Sequence, residues 1–158
     1  MDGDIELDAV DRRILAALQT HGRATYDELA AGIGLSPSAT LRRVKRLEES
    51  RVITGYVALV APERVGLGLT AYLNGRLAKH HEQGGPIEAF TAAVQAWPEV
   101  VECAALSGEM DYLLRVLVRD MAHYSRFVMD ALLKHPAVQD CKTSFMLWRL
   151  KGTTAVPL

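Results

Sequence analysis

The stretch "TYDELAAGIGLSPSATLRRVKRLEES", Thr25–Ser50, decides the fold of the first half of the chain. Thr25 and Glu28 stand three apart at its start, a pairing in which two side chains satisfy free backbone donors, so a helix opens there. It closes at Gly32 and Gly34, since glycine enters the left-handed region at no steric cost. Ser36 is placed to cap a second helix, with Pro37 at the first position, where a missing N–H costs nothing. A short helix, a tight glycine-containing turn and a second capped helix make a helix-turn-helix over about residues 26–45.

In the second helix, Leu41, Val44 and Leu47 form an apolar stripe. Opposite them lie Ser38, Ala39, Arg42 and Arg46, with Arg43 and Lys45 on the flanks. The exposed side is small and hydroxylated first, then basic. A recognition helix needs that layout, because its first turns meet base edges and thymine methyls while later cations meet phosphates. Charge on a helix is usually only its solvated face, but such helices mix signs at i,i+4. Here the acids, Glu48 and Glu49, come only after the cluster. The candidate contacts to double-stranded DNA are Ser36, Ser38, Ala39, Arg42, Arg43, Lys45 and Arg46. Composition adds nothing to this, since 18 basic residues face 19 acidic ones for a net charge of -1. The positive patch is local.

Upstream, "LDAVDRRILAALQTHG" has Val10, Ile14, Leu15 and Leu18 at helical spacing, Asp8 at the N-cap and Gly22 as a stop. Downstream, "VITGYVAL" is β-branched and aromatic and reads as a short strand or wing. "APERVGLGL", with Pro62, Gly66 and Gly68, reads as a linker. The expected division is therefore a winged helix-turn-helix over residues 1–60, a hinge over 61–68 and a second domain over 69–158.

That second domain alternates strand and helix. "LTAYLNGRLAKH" places Leu69, Ala71, Leu73 and Leu77 on one face. "PIEAFTAAVQAW" is a helix with Ile87, Phe90, Val94 and Trp97 on one side. "VVECAALSG" and "DYLLRVLVR" are strands joined at a turn around Gly108. "DMAHYSRFVMDALLKHP" is a helix capped by Asp120 with Met121, Tyr124, Val128 and Leu132 inward, and "VQDCKTSFMLWRL" is the last strand. The order βαββαβ is ferredoxin-like, an antiparallel sheet with both helices on one face, so the fold class is α+β. Cys103 and Cys141 lie outside any C-x-x-C pattern and read as small core residues in a reducing cytosol. No apolar run approaches a membrane span.

The chain resembles the Lrp/AsnC, or feast/famine, family of transcription regulators. "LDAVDRRILAALQTHGRATYDELAAGIGLSPSATLRRVKRLEESRVITGY" is similar to that family's DNA-binding domain. "ALSGEMDYLLRV" resembles its ligand-domain signature, and "TSFMLWRLKGTTAVPL" the ending of many bacterial members. The resemblance implies chains that pair through their sheets into dimers and assemble further into tetramers or octamers. It also implies a small effector, usually an amino acid, bound near the turn before the third strand at contacts between subunits. The implied site is Ser107, Gly108, Glu109, Met110, Asp111 and Tyr112, with Thr143 and Ser144 on the last strand as further candidates. Chemically, N–H groups around Gly108 can meet a carboxylate, and Asp111 or Glu109 an ammonium. Many members carry Asp and an aromatic where this chain has Glu109 and Met110.

Other signals have plainer readings. His80 and His81 are adjacent, and "HHEQG" is not an H-E-x-x-H zinc pattern, so a solvated loop is expected and no metal site. "GLGL" lacks the strand-to-helix setting of a dinucleotide loop. Phe90, Trp97, Tyr124 and Phe127 stand at core positions. No nucleophile and base are spaced to meet, so no catalytic residue and no cofactor is expected. The competing functions are an architectural DNA-compacting protein without an effector, and a haem-biosynthesis decarboxylase of similar fold, which would not need a basic helix.

Overall fold

The computed structural model of the chain describes residues 5–78 and 86–158. They form two compact units, one holding the chain through Leu59 together with Lys151–Leu158, the other Val60–Leu150. The tail thus departs from the expected division, which left residues 151–158 with the second domain. Its partner is Gln19, whose amide nitrogen donates to Val156 O at 3.1 Å and whose amide oxygen accepts from Val156 N–H at 2.6 Å. One side chain stands in for a strand neighbour.

The first unit is built on α1 (Ala9–Thr20), α2 (Tyr26–Ile33) and α3 (Pro37–Glu49). Both Asp8 and Thr25 close capping boxes, with Asp11 and Glu28 as the reciprocal acids. Ser36 accepts from Ala39 N–H at 3.3 Å and so is spent on capping α3. Gly34 ends α2 at φ 74, where a Cβ would be strained. Ile14, Leu15, Leu29, Ile33, Val44 and Leu47 form the core.

Two details differ from the sequence reading. The buried face of α3 is Thr40, Val44 and Leu47, with Leu41 only half-buried. Thr40 can be buried because its hydroxyl donates to Ser36 O at 3.1 Å. The segment 54–61 forms no strand, and Tyr56, Val57, Leu59 and Val60 are exposed. A β-prone segment becomes a strand only where a neighbour offers a ladder, and the described part of this unit offers none.

In the second unit a 3-10 turn (Pro62–Val65) precedes β1 (Leu69–Leu77), α4 (Pro86–Ala96), β2 (Val100–Ala105), β3 (Tyr112–Val118), α5 (Met121–Arg126) and β4 (Val138–Phe145). A π-helical stretch, Phe127–Leu132, continues α5. The sheet order is β2-β3-β1-β4, every pair antiparallel. This is the expected ferredoxin-like arrangement. Ala71, Leu73 and Leu77 share a core with Leu114, Val116, Phe90, Val94, Phe127 and Leu132, so both helices cover one face. Each such side chain contributes about 1.5–3 kcal/mol by leaving water. Alternation sends Tyr72, Asn74, Leu113, Arg115 and Leu117 to the other face, where all are half-buried.

Ile87 and Met121, expected inward, are 65% and 51% exposed. Each lies in the first turn of its helix. The last strand stops at Phe145, short of the expected extent, and Leu147, Trp148 and Leu150 are exposed. Cys103 on edge strand β2 is exposed, whereas Cys141 on the opposite edge strand, β4, packs against the core. His80 and His81 fall outside the described residues.

Candidate nucleic-acid interface and ligand turn

The four cations of α3 divide into two pairs. Arg43 Nη1 donates to Asp8 Oδ2 at 2.7 Å and to Asp11 Oδ1 at 2.8 Å, and Arg46 Nη2 donates to Asp11 Oδ2. Asp11 is completely buried, and its Oδ2 also accepts from Asp8 N–H at 3.2 Å. Hydrogen bonding from the Asp11 N–H, then from Arg43, holds the Asp8 carboxyl down at about 2. Arg42 and Lys45 are exposed and have no acidic partner among the described residues.

This pairing corrects the expected face. With Thr40, Val44 and Leu47 inward, α3 is turned by roughly 30° from the orientation that a Leu41–Val44–Leu47 stripe implies, at 100° per residue. Ser38, Arg42 and Lys45 then point outward together. Arg43 and Arg46 lean toward α1, and Ala39 is half-buried. Of the seven expected contacts, Ser38, Arg42 and Lys45 form one exposed face, while Ser36, Arg43 and Arg46 are engaged within the unit.

The second candidate site is the turn between β2 and β3. Leu106 N–H donates to Asp111 O at 2.9 Å and closes it, with Gly108 at φ 134. Asp111 is fastened to β1 twice, through its N–H to Gly75 O at 2.9 Å and its Oδ2 to Leu77 N–H at 2.8 Å. Its Oδ1 has no hydrogen-bond partner among the described residues. Ser107, Gly108 and Glu109 are exposed and Met110 is half-buried. Tyr112 is buried on the helix side and donates its hydroxyl to Asp140 O at 3.0 Å.

Residues that the sequence reading missed adjoin this turn. Arg76 donates from N–H and Nε to Asp140 at 3.0 and 2.8 Å, which holds the Asp140 carboxyl below its ordinary range. Asp140 above all, and more weakly the charges of Glu109 and Asp111, raise the Arg76 guanidinium pKa. A Cβ on Gly75 would lie 2.0 Å from Asp140 O, so only glycine lets β1 and β4 close here. Thr143 and Ser144 pair with Leu73 and Tyr72, further along the strand. Thr143 faces the helices, where its hydroxyl meets that of Tyr124 at 2.5 Å, and Ser144 faces the other way. Within one chain they do not join the turn.

A separate open groove of about 810 Å³ runs between α1 and α2, rimmed by Arg13, His21 and Arg23, and borders neither site. No group of three or more His, Cys, Asp or Glu among the described residues is placed to hold a metal ion. None of the described helices is long and apolar enough to cross a membrane.

A helix-turn-helix unit followed by a ferredoxin-like ligand domain defines a class of transcription regulators. The chain matches the AsnC-type helix-turn-helix domain over residues 7–48 and the Lrp/AsnC ligand binding domain over residues 70–156. It is 40% identical to the leucine-responsive regulatory protein of Haemophilus influenzae, across 96% of this chain and 90% of that protein. It is 37% identical to the Bkd operon transcriptional regulator of Pseudomonas aeruginosa, across 97% and 99%. A transcriptional regulator of Neisseria meningitidis solved as an L-Met complex superposes with a TM-score of 0.92 at 45% identity, covering 96% of this chain and 97% of that one. The chain belongs to the Lrp/AsnC family of transcription regulators.

Proposed function

We propose that α3 reads duplex DNA through Ser38, Arg42 and Lys45, and that the 106–111 turn holds a free amino acid whose binding alters assembly and DNA affinity. The observation that carries the DNA reading is the division of the basic cluster. Two cations are neutralised from inside, and the two left over share one exposed face with a serine. Arginine can meet guanine bidentately, while lysine meets phosphate as a point charge.

The effector reading rests on the turn and on the relatives. One relative is named for its response to leucine, and another was solved with L-Met. In this chain the free Asp111 Oδ1 suits an ammonium group, and the exposed backbone around Gly108 suits a carboxylate. Met110 offers an adaptable apolar contact for the ligand side chain. The half-apolar sheet face of Tyr72, Leu113 and Leu117 suits a second copy of the chain, giving dimers from which larger rings can grow.

The test is selection of duplexes from a random pool by the full chain. Binding to the winner is then measured by fluorescence anisotropy with each standard amino acid present in turn. We expect the winner to bind at least about a thousandfold tighter than random duplex, and at least one amino acid to change that affinity. No enrichment would leave the architectural reading in its place.

A further inference from the structure

Asp11 stands out among the buried groups because it is a fully buried carboxylate that touches no DNA-facing surface, yet grips the helix that does. Its two partners, Arg43 and Arg46, are one turn apart on α3. The acids Asp8 and Asp11 are likewise one turn apart at the start of α1. Matched pairs at two heights fix both the rotation of α3 about its axis and its position along α1. Apolar contacts alone, through Val44 and Leu47, are non-directional and would tolerate small turns and slides. The same pairs neutralise two cations, although the Arg46 side chain is still 47% exposed, and freed cations would add sequence-independent attraction to phosphates.

We propose that Asp11 is a positioning residue for DNA reading: by holding Arg43 and Arg46 it sets the angle at which Ser38, Arg42 and Lys45 are presented, and favours specific over random DNA. This rests on the DNA reading proposed above. Discrimination here comes partly from suppressing the wrong complex, which lowers competing affinity without a new base contact.

The test uses the full chain with Asp11→Asn, which keeps the size of the side chain but removes its charge. Binding is measured across a salt series on two duplexes, one selected by the wild-type chain and one of scrambled sequence. We expect the specific-to-scrambled ratio to fall roughly tenfold, and the salt slope on scrambled DNA to steepen by about one to two. A role in folding alone would lower binding to both duplexes by one common factor, with ratio and slope unchanged, and would overturn the proposal. Should Asp11→Asn fail to fold, as judged by circular dichroism, Asp8→Asn takes its place. That variant keeps the N-cap and frees one bond of Arg43, so smaller changes in the same directions are expected, and unchanged ratio and slope would overturn the proposal. A wild-type chain that does not distinguish the two duplexes would instead overturn the DNA reading itself.

Discussion

Arg43 on α3 and Asp11 on α1 are joined by a 2.8 Å ion pair across 32 positions of sequence. Arg43 therefore belongs to the framework of the helix-turn-helix unit rather than to its outer face. Arg43→Ala should lower stability by roughly 1–3 kcal/mol, less than the full cost of breaking a buried pair because Arg46 still holds Asp11. Arg42→Ala and Lys45→Ala should leave it within about 0.5 kcal/mol. Urea denaturation of the three variants checks the division.

Acid should loosen the same network. The Asp8 carboxyl is held at about 2 against an ordinary 3.8, so its contribution is present above the ordinary value and is lost as pH falls toward the folded one. Asp8→Asn retains a good cap but has no charge to lose. The urea midpoints of wild type and Asp8→Asn should differ most near neutrality and converge as pH falls from about 4 to about 2. A difference that stays constant over that window would remove Asp8 from the network.

Gly75→Ala should be among the most damaging single-methyl additions in the second unit. The new carbon would meet Asp140 O at 2.0 Å and the Tyr112 hydroxyl at 2.6 Å. The first of these is backbone, so β1 and β4 must part. A loss of about 3 kcal/mol is expected, read by thermal denaturation. Wild-type stability would show that the strands separate without strain.

The periodic features of this fold were legible in the sequence. The N-cap at Asp8, the capping box at Thr25, the serine cap of α3 and the alternation in β1 and β3 are local patterns, and each appears where its residues imply. What was not legible depends on partners distant in sequence. Nothing near Asp11 says that it is buried against Arg43 and Arg46, although the shared spacing of 8/11 and 43/46 was a signal available in retrospect. Thr40 reads as a surface residue until its hydroxyl is seen to bond back to Ser36. Arg76 and Asp140 meet only because β1 and β4 are neighbours, a pairing that no local pattern announces.

The tail contact of Gln19 with Val156 should matter modestly. Two hydrogen bonds at an exposed site contribute about 1 kcal/mol together. Gln19→Ala should lower the stability of the first unit by that amount, and removal of residues 151–158 should lower it similarly and leave nothing further for Gln19→Ala to lose. Additive losses in the double variant would show that the two do not act on each other.

Asp111 tests the ligand turn. If its free Oδ1 holds an ammonium group, Asp111→Asn should weaken the amino acid found by thermal-shift screening by roughly 1.5–3 kcal/mol. The bond from Leu77 N–H would survive, since an amide oxygen can accept it. Calorimetry on both proteins is the check. Equal affinity would place the ammonium elsewhere.

On the reading proposed above, the outward cations Arg42 and Lys45 touch DNA, and the pair held by Asp11 does not. This is tested most directly by the salt dependence of binding to the selected duplex, measured for wild type, Arg42→Ala and Arg43→Ala at a temperature where all three are folded. Arg42→Ala is expected to cost about 1–3 kcal/mol at that duplex, while Arg43→Ala leaves the salt slope no shallower than wild type. A slope shallower by about one in Arg43→Ala, with Arg42→Ala unchanged in affinity, would contradict it.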